Sequence, residues 1–259
     1  MTALEGAVRL DRRDAIACIT FDRPGARNAM TWAMYEQLGT FLDWLEANED
    51  IRVAVLRGAG GNFVAGTDIA QFQDFATGDD GVAYERRLDA LIARLESTRA
   101  ATIAVVEGYA VGGGLALAAA CDIRICSPDA RFGVPIARTV GNCLSMANTA
   151  RLVVHLGASR TKAMLMTAGL LSAAEALQSG FVTAVVDSSR LNKQVDELAA
   201  GIASLAPVTL QVSREAIRRI VASFSAGGDD LVRRAYDSLD FQEGVAAFLE
   251  KRSPRWEGR

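Results

Sequence analysis

Short apolar runs that do not alternate with polar residues constrain this chain most. Residues 53–56 and, after Thr102, the rest of 102–106 are such runs, 123–126 is a further short strand, and amphipathic helical stretches fall between them. A strand that is apolar on both faces has to be covered on both. Strand–strand–helix units in succession therefore point to an α/β fold with helices outside the sheet. Val8 and Leu10 open the chain as a strand, 11–14 is the expected turn, and 15–21 a second, more buried strand. Thr31 then caps a helix with the apolar face Met34, Leu38, Phe41, Leu42 and Leu45.

Leu88, Leu91, Ile92 and Leu95 mark another helix, Gly112-Gly113-Gly114 opens a third over 115–120, and 131–134 is a further strand. Beyond Gly141 helical periodicity takes over, at 143–155, 158–168, 173–178, 191–204, 207–222 and 229–250. One strand, 181–186, interrupts it, and Pro207 suits the first turn of its helix. The organisation predicted is an α/β core over 1–200 and a helical C-terminal region over 201–259. That region either folds back or packs on a neighbouring subunit, with Gly227-Gly228 as the hinge.

Composition narrows the function classes. Half of the 259 residues are apolar, 23% are charged, and the net charge is −3 with both signs interspersed. No basic face tracks phosphates, so nucleic-acid binding is not expected. The opening MTALEGAVRLDRRD, with Glu5 and Asp11, lacks the layout of a signal peptide. The oily stretch 104–121 is broken by Glu107 and glycines, so no membrane span is expected. The four cysteines have no metal-ligand spacing and there is one histidine, which leaves a metal site or a Ser/His/Asp triad without support. A reduced, cytoplasmic protein is expected.

The glycine clusters fail as nucleotide motifs. Gly58-Ala59-Gly60-Gly61 lacks the third glycine of a dinucleotide fingerprint, and 108–114 lacks the Lys-Ser/Thr of a P-loop. Two readings remain. Glycines can permit tight strand–helix packing, or they can expose backbone N–H groups at a helix start, as at Gly112–Gly114, for a ligand to approach. The turn Val64-Ala65-Gly66-Thr67-Asp68 would supply a second donor, and two donors on one oxygen make an oxyanion hole.

Several segments carry a family resemblance. Arg23-Pro24-Gly25-Ala26-Arg27-Asn28-Ala29-Met30 resembles the R-P-x-x-x-N-A-[LM] of the crotonase (enoyl-CoA hydratase/isomerase) superfamily. Ala65-Gly66-Thr67-Asp68-Ile69 is similar to its A-G-x-D-[IL], and Gly108–Gly114 to its G-x-[AC]-x-G-G-G, followed by Cys121-Asp122-Ile123-Arg124. Phe132-Gly133-Val134-Pro135 resembles F-G-x-P, and Thr167-Ala168-Gly169, residues 173–182 and Leu249–Pro254 follow later family segments in order.

The resemblance implies a crotonase-type spiral of strand–strand–helix repeats, with C-terminal helices that build a homotrimer or a dimer of trimers. It implies an acyl-CoA substrate and no cofactor beyond the CoA of the thioester. By position, the N–H groups of Ala65 and Gly113 would hold the thioester oxygen, beside Gly66 and Gly112. Ala26 and the Thr67-Asp68-Ile69 backbone would take the adenine end of CoA, with Arg23 or Arg27 near its phosphates.

Departures from the pattern carry as much information. A hydratase of this family uses two glutamates, and the matching positions are Ala116 and Ile136. No Asp or Glu occurs between Arg131 and Arg151, where isomerases carry theirs. Cys143 is the substitute in that loop, either as a base or nucleophile activated at a helix start or as a small buried residue. Arg138 and Asn142 either bind a polar acyl group or brace the loop. Asp74, Tyr84 and Glu85 read as a solvated helix face; the resemblance places them in the stretch that covers the acyl pocket, where the alternative is that one of them swings in. Asp68 and Asp122 are expected to hold loop N–H groups, and His155 to be structural. Such a site suits enolate chemistry without hydration. Decarboxylation comes first, because loss of CO2 generates the enolate without a base, and isomerisation or hydrolysis comes next. The alternative is a non-catalytic acyl-CoA-binding or assembly protein.

Overall fold

The computed structural model describes residues 6–224 and 227–258; Glu5 of the leader argument lies outside them. The opening hairpin pairs β1 (Ala7–Arg13) with β2 (Ile16–Asp22), in register Arg13↔Ile16. Its turn is tighter than 11–14: only Asp14 and Ala15 lie outside the ladder, and Asp14 takes φ +50°. A two-residue hairpin loop needs that left-handed conformation, which Asp tolerates, so Asp11–Arg13 stay in the strand.

Next come α1 (Trp32–Ala47) and β3 (Val53–Gly58). Thr31 caps α1 by accepting from the Met34 N–H, and the predicted face is buried except for the half-buried Phe41. Helix α2 (Gly78–Ser97) extends well upstream of its apolar markers because a capping box, Thr77 with Asp80, starts it. Then follow β4 (Ala101–Val106), β5 (Tyr109–Val111), α3 (Gly113–Ala120), β6 (Ile123–Cys126), β7 (Arg131–Gly133), α4 (Ile136–Thr139), α5 (Met146–Leu156), α6 (Ala158–Thr167), β8 (Leu170–Ser172), α7 (Ala173–Gln178) and β9 (Ala184–Val185). Four helices close the chain: α8 (Ser188–Ala203), α9 (Pro207–Ala222), α10 (Asp229–Tyr236) and α11 (Leu239–Leu249).

The strands form a six-stranded sheet, β1-β2-β3-β4-β6-β9, parallel from β2 onward, and a three-stranded sheet, β5-β7-β8. Every residue of β4 is buried, as the non-alternating pattern requires. The strand expected at 181–186 shrinks to Ala184–Val185. The Phe181 and Val182 N–H groups donate instead to the Ala176 carbonyl at the end of α7. The helix expected at 229–250 breaks at Asp237–Ser238, where the Ser238 hydroxyl accepts from the Phe241 N–H and caps a new helix.

That break lets α10 and α11 fold back onto the same chain. Val232, Tyr236, Phe241 and Val245 pack with Phe72, Val82 and Val140 into an aromatic-rich cluster. Helix α9 behaves differently: it buries no residue and leaves Val208, Val212, Ile217 and Ile220 exposed, with Phe224 exposed just beyond its end. Among the described residues no single helix is long and apolar enough to cross a membrane.

Candidate active site

Between α2, the start of α3 and the 135–144 loop lies a cavity of about 90 Å³. Gly66, Thr67, Gly112 and Gly113 form one wall, Ala116 and Ile136 another, and Glu85 with Asn142 and Cys143 the far side. Two glycines shape the first wall. Gly66 sits at φ +93° and Gly112 at φ +55°, conformations that side chains rarely adopt. Gly114 brings α3 so close to the preceding loop that an added methyl would overlap the Val64 carbonyl. Gly114→Ala is therefore expected to lower stability by about 1–3 kcal/mol through overpacking, read as a lowered denaturation midpoint.

Hydrogen-bond accounting decides which main-chain N–H groups remain for a ligand. The Ala65 N–H donates to the Arg27 carbonyl at 3.1 Å. The Gly112 N–H donates to Gly133 and the Asp68 N–H to Met30. The Thr67 and Gly113 N–H groups have no acceptor among the described residues. A Cβ built on Gly113 would stand 4.0 Å from the Thr67 nitrogen, so these two groups are neighbours. The expectation that Ala65 supplies a hole donor is thus corrected. Because Gly66 redirects the chain, strand alternation does not carry from 65 to 67, and the N–H at 65 is consumed within the fold.

Thr67 also carries a side-chain network. Its hydroxyl lies 2.7 Å from the Tyr35 hydroxyl and 2.8 Å from that of Tyr84. Burial pushes the Tyr35 phenol up to about 12 and that of Tyr84 well above its ordinary value, so both are neutral hydroxyls. With its side chain tied down, Thr67 presents its backbone to the cavity in a fixed position.

Glu85 departs most from expectation. It is only 4% exposed and lines the cavity, whereas the sequence placed it on a solvated helix face. The Tyr236 hydroxyl donates to Glu85 Oε1 at 3.0 Å, and the Ser145 N–H to Oε2 at 3.1 Å. Burial pushes the carboxyl up to about 8. A signal was present: Gly81, Glu85, Leu88, Ile92 and Leu95 follow helical spacing on one face, and all are buried. Asp74, by contrast, is exposed, as expected.

Cys143 lines the cavity, but α5 starts only at Met146 and is capped by Ser145. Burial pushes the thiol up to about 12, with the Glu85 carboxyl adding to the shift. The idea of a helix-start thiolate is corrected: the sulfur lies before the helix, half-buried where desolvation disfavours the charged form. Asn142 donates from Nδ2 to the Tyr236 hydroxyl at 3.0 Å, and its buried Oδ1 has no partner among the described residues. Arg138 is exposed on α4 and does not line the cavity.

The positions expected to hold the far end of a ligand are also partly committed. Arg23 pairs with Asp68 at 2.8 Å. The Ala26 N–H closes a turn onto Arg23, and Asp68 Oδ1 accepts from the Ala70 N–H. Thr67 and Ile69 line the cavity. Arg27 is exposed over the Tyr109 ring, 4.9 Å from its centre. Asp122 holds the Thr102 N–H and hydroxyl. His155 reaches the Ala119 carbonyl, with burial and Arg124 pulling its pKa down to about 4; both fit structural roles.

Comparison with known proteins agrees with this architecture. The chain is 31% identical to a probable enoyl-CoA hydratase of Mycobacterium tuberculosis over 97% of its own length and 98% of the relative's. It is 32% identical to the 2,3-dehydroadipyl-CoA hydratase of Escherichia coli, covering 96% and 98%. A methylmalonyl-CoA decarboxylase solved with 2-nitronate-propionyl-CoA superposes with a TM-score of 0.88 at 26% identity, covering 97% and 98%. The profile of the enoyl-CoA hydratase/isomerase family matches residues 11–259, and with the crotonase fold in place the chain belongs to that family.

Proposed function

We propose that this protein polarises an acyl-CoA thioester between the Thr67 and Gly113 N–H groups and carries out decarboxylation through the resulting enolate. Two unpartnered main-chain donors beside one cavity, with the apolar Ala116 and Ile136 on its other wall, are the observation that carries this reading. Charge grows on the thioester oxygen as the enolate forms, so fixed donors there favour the transition state over the ground state. A thioester carboxylated at its α-carbon, of the malonyl type, supplies its own electron pair when the C–C bond to CO2 breaks, so no base is needed. Hydration needs a base to activate water and an acid to protonate carbon. The two positions that hold them in family hydratases are methyl and sec-butyl side chains here. Likeness to a methylmalonyl-CoA decarboxylase supports the same choice.

Arg23 is committed to Asp68, so Arg27, with no ion pair among the described residues, is the cation we assign to the CoA phosphates. We assign the exposed apolar face of α9 to self-association, as a trimer or a dimer of trimers.

The test is a substrate comparison by mass spectrometry. Malonyl- and methylmalonyl-type CoA thioesters are expected to lose CO2. Crotonyl-CoA is expected to hydrate slower than with a two-glutamate hydratase by at least about 10²-fold, the usual contribution of one acid or base. Hydration at ordinary hydratase rates would overturn the reading. Tight CoA-ester binding with every substrate inert would instead favour the non-catalytic binder.

A further inference from the structure

We infer that Glu85 is the group that passes a proton to and from the α-carbon of the bound thioester. This rests on the reading that the cavity holds a thioester enolate. The geometry comes first. Glu85 shares the cavity with Thr67 and Gly113, and its two oxygens are fixed from different elements. Tyr236 on α10 donates to one and the Ser145 N–H, at the cap of α5, to the other. The Asn142 amide in turn donates to the Tyr236 hydroxyl, so a chain of three side chains from three parts of the sequence aims the carboxyl. Each carboxyl oxygen keeps a further lone-pair position, which is where a transferable proton sits.

The surroundings set its charge. Around the carboxyl are Tyr84 and Asp89 of α2, Tyr35 of α1, Tyr236 of α10 and Cys143 before α5. Among the described residues no arginine, lysine or histidine pairs with it. Desolvation therefore dominates and the acid form prevails at neutral pH. An anionic α-carboxylated substrate then meets a neutral group rather than a like charge.

The step balances. Loss of CO2 from the substrate leaves its bonding electron pair as the enolate, with negative charge on the thioester oxygen. The α-carbon takes the Glu85 proton, the carbonyl re-forms, and Glu85 is left as the carboxylate. Solvent returns one proton to it when product leaves. The reverse proton transfer, from the α-carbon of a saturated thioester to the carboxylate, needs no CO2 at all.

Glu85→Gln tests this, because it keeps the side-chain volume and an acceptor for Tyr236. Wild-type kcat on a malonyl-type thioester is expected to be level below about 8 and to fall as pH rises through that value, since the acid form is the donor. The variant should lack that limb and lose about 10²–10⁴-fold in kcat. Its affinity for a non-reactive CoA ester and its melting temperature should stay close to wild type. In D2O the wild type should place deuterium in one α-configuration of propionyl-CoA formed from methylmalonyl-CoA, and the variant in both. A variant that keeps the rate, the limb and the stereochemistry overturns the assignment. Exchange of the α-protons of propionyl-CoA in D2O separates it from the decarboxylase reading. Wild-type exchange that rises to a plateau above about 8 and vanishes in the variant upholds Glu85 even if no thioester loses CO2. A wild type that neither exchanges nor decarboxylates overturns both.

Discussion

Replacing Gly113 with valine is expected to lower turnover of a reactive CoA thioester by about 10²–10³-fold, as much as losing one oxyanion-hole donor, because the side chain keeps the thioester oxygen from reaching the N–H that valine retains. A Cβ at 113 points between the groups that matter: it would lie 3.0 Å from the Tyr35 hydroxyl and 4.0 Å from the Thr67 nitrogen. A branched side chain there occupies the place of the thioester oxygen. Gly113 is the first residue of α3 and, unlike Gly112, has no positive φ, so the helix itself tolerates the change. The melting temperature should move little, and Gly113→Ala should fall between valine and wild type in turnover. Steady-state kinetics on the best substrate, with thermal melts alongside, would check this. Unchanged turnover in the valine variant would place the reacting oxygen elsewhere.

Asn28→Ala is expected to remove about 3–5 kcal/mol of stability, a large share of the roughly 5–15 kcal/mol that holds a typical domain. Asn28 is fully buried and sits at φ +59°. It accepts from the Arg23 N–H at 2.7 Å and donates from Nδ2 to the Ala59 and Asn62 carbonyls at 2.9 and 2.7 Å. Alanine would orphan one buried donor and two acceptors in a backbone conformation that asparagine tolerates better. Asn28→Asp is the sharper control. It keeps the acceptor but turns a carboxylate oxygen toward two carbonyls, so it should be at least as destabilising as alanine. Urea denaturation of the three proteins gives the comparison. The loss should reach the site, because Arg27 next door accepts the Ala65 N–H that orders the cavity wall.

The two variants mark different depths of legibility. Asn28 lay inside the R-P-x-x-x-N-A segment and Gly113 inside the glycine triplet, so both positions stood out in the sequence. Their tasks did not. For Asn28 the partners lie more than thirty positions away at Ala59 and Asn62. For the cavity wall, the motif containing Ala65 and Thr67 was evident, yet which of their N–H groups stays free depends on the Arg27 carbonyl.

By itself the sequence determined the main strands and helices and the identity of residues 116 and 136. Apolar runs without alternation specify covered parallel strands. Thr31 specifies a helix start, and residues 116 and 136 carry no carboxyl group whatever the coordinates are. These are local or compositional facts. Only the tertiary structure decided that Glu85 is buried against Tyr236, that the Cys143 thiol is held neutral, and that Thr67 rather than Ala65 has a free donor. The physical reason is common to all three. Desolvation and hydrogen-bond satisfaction depend on what distant segments bring to an atom, and the break at Asp237–Ser238 that folds α10 back onto α2 sets much of that environment.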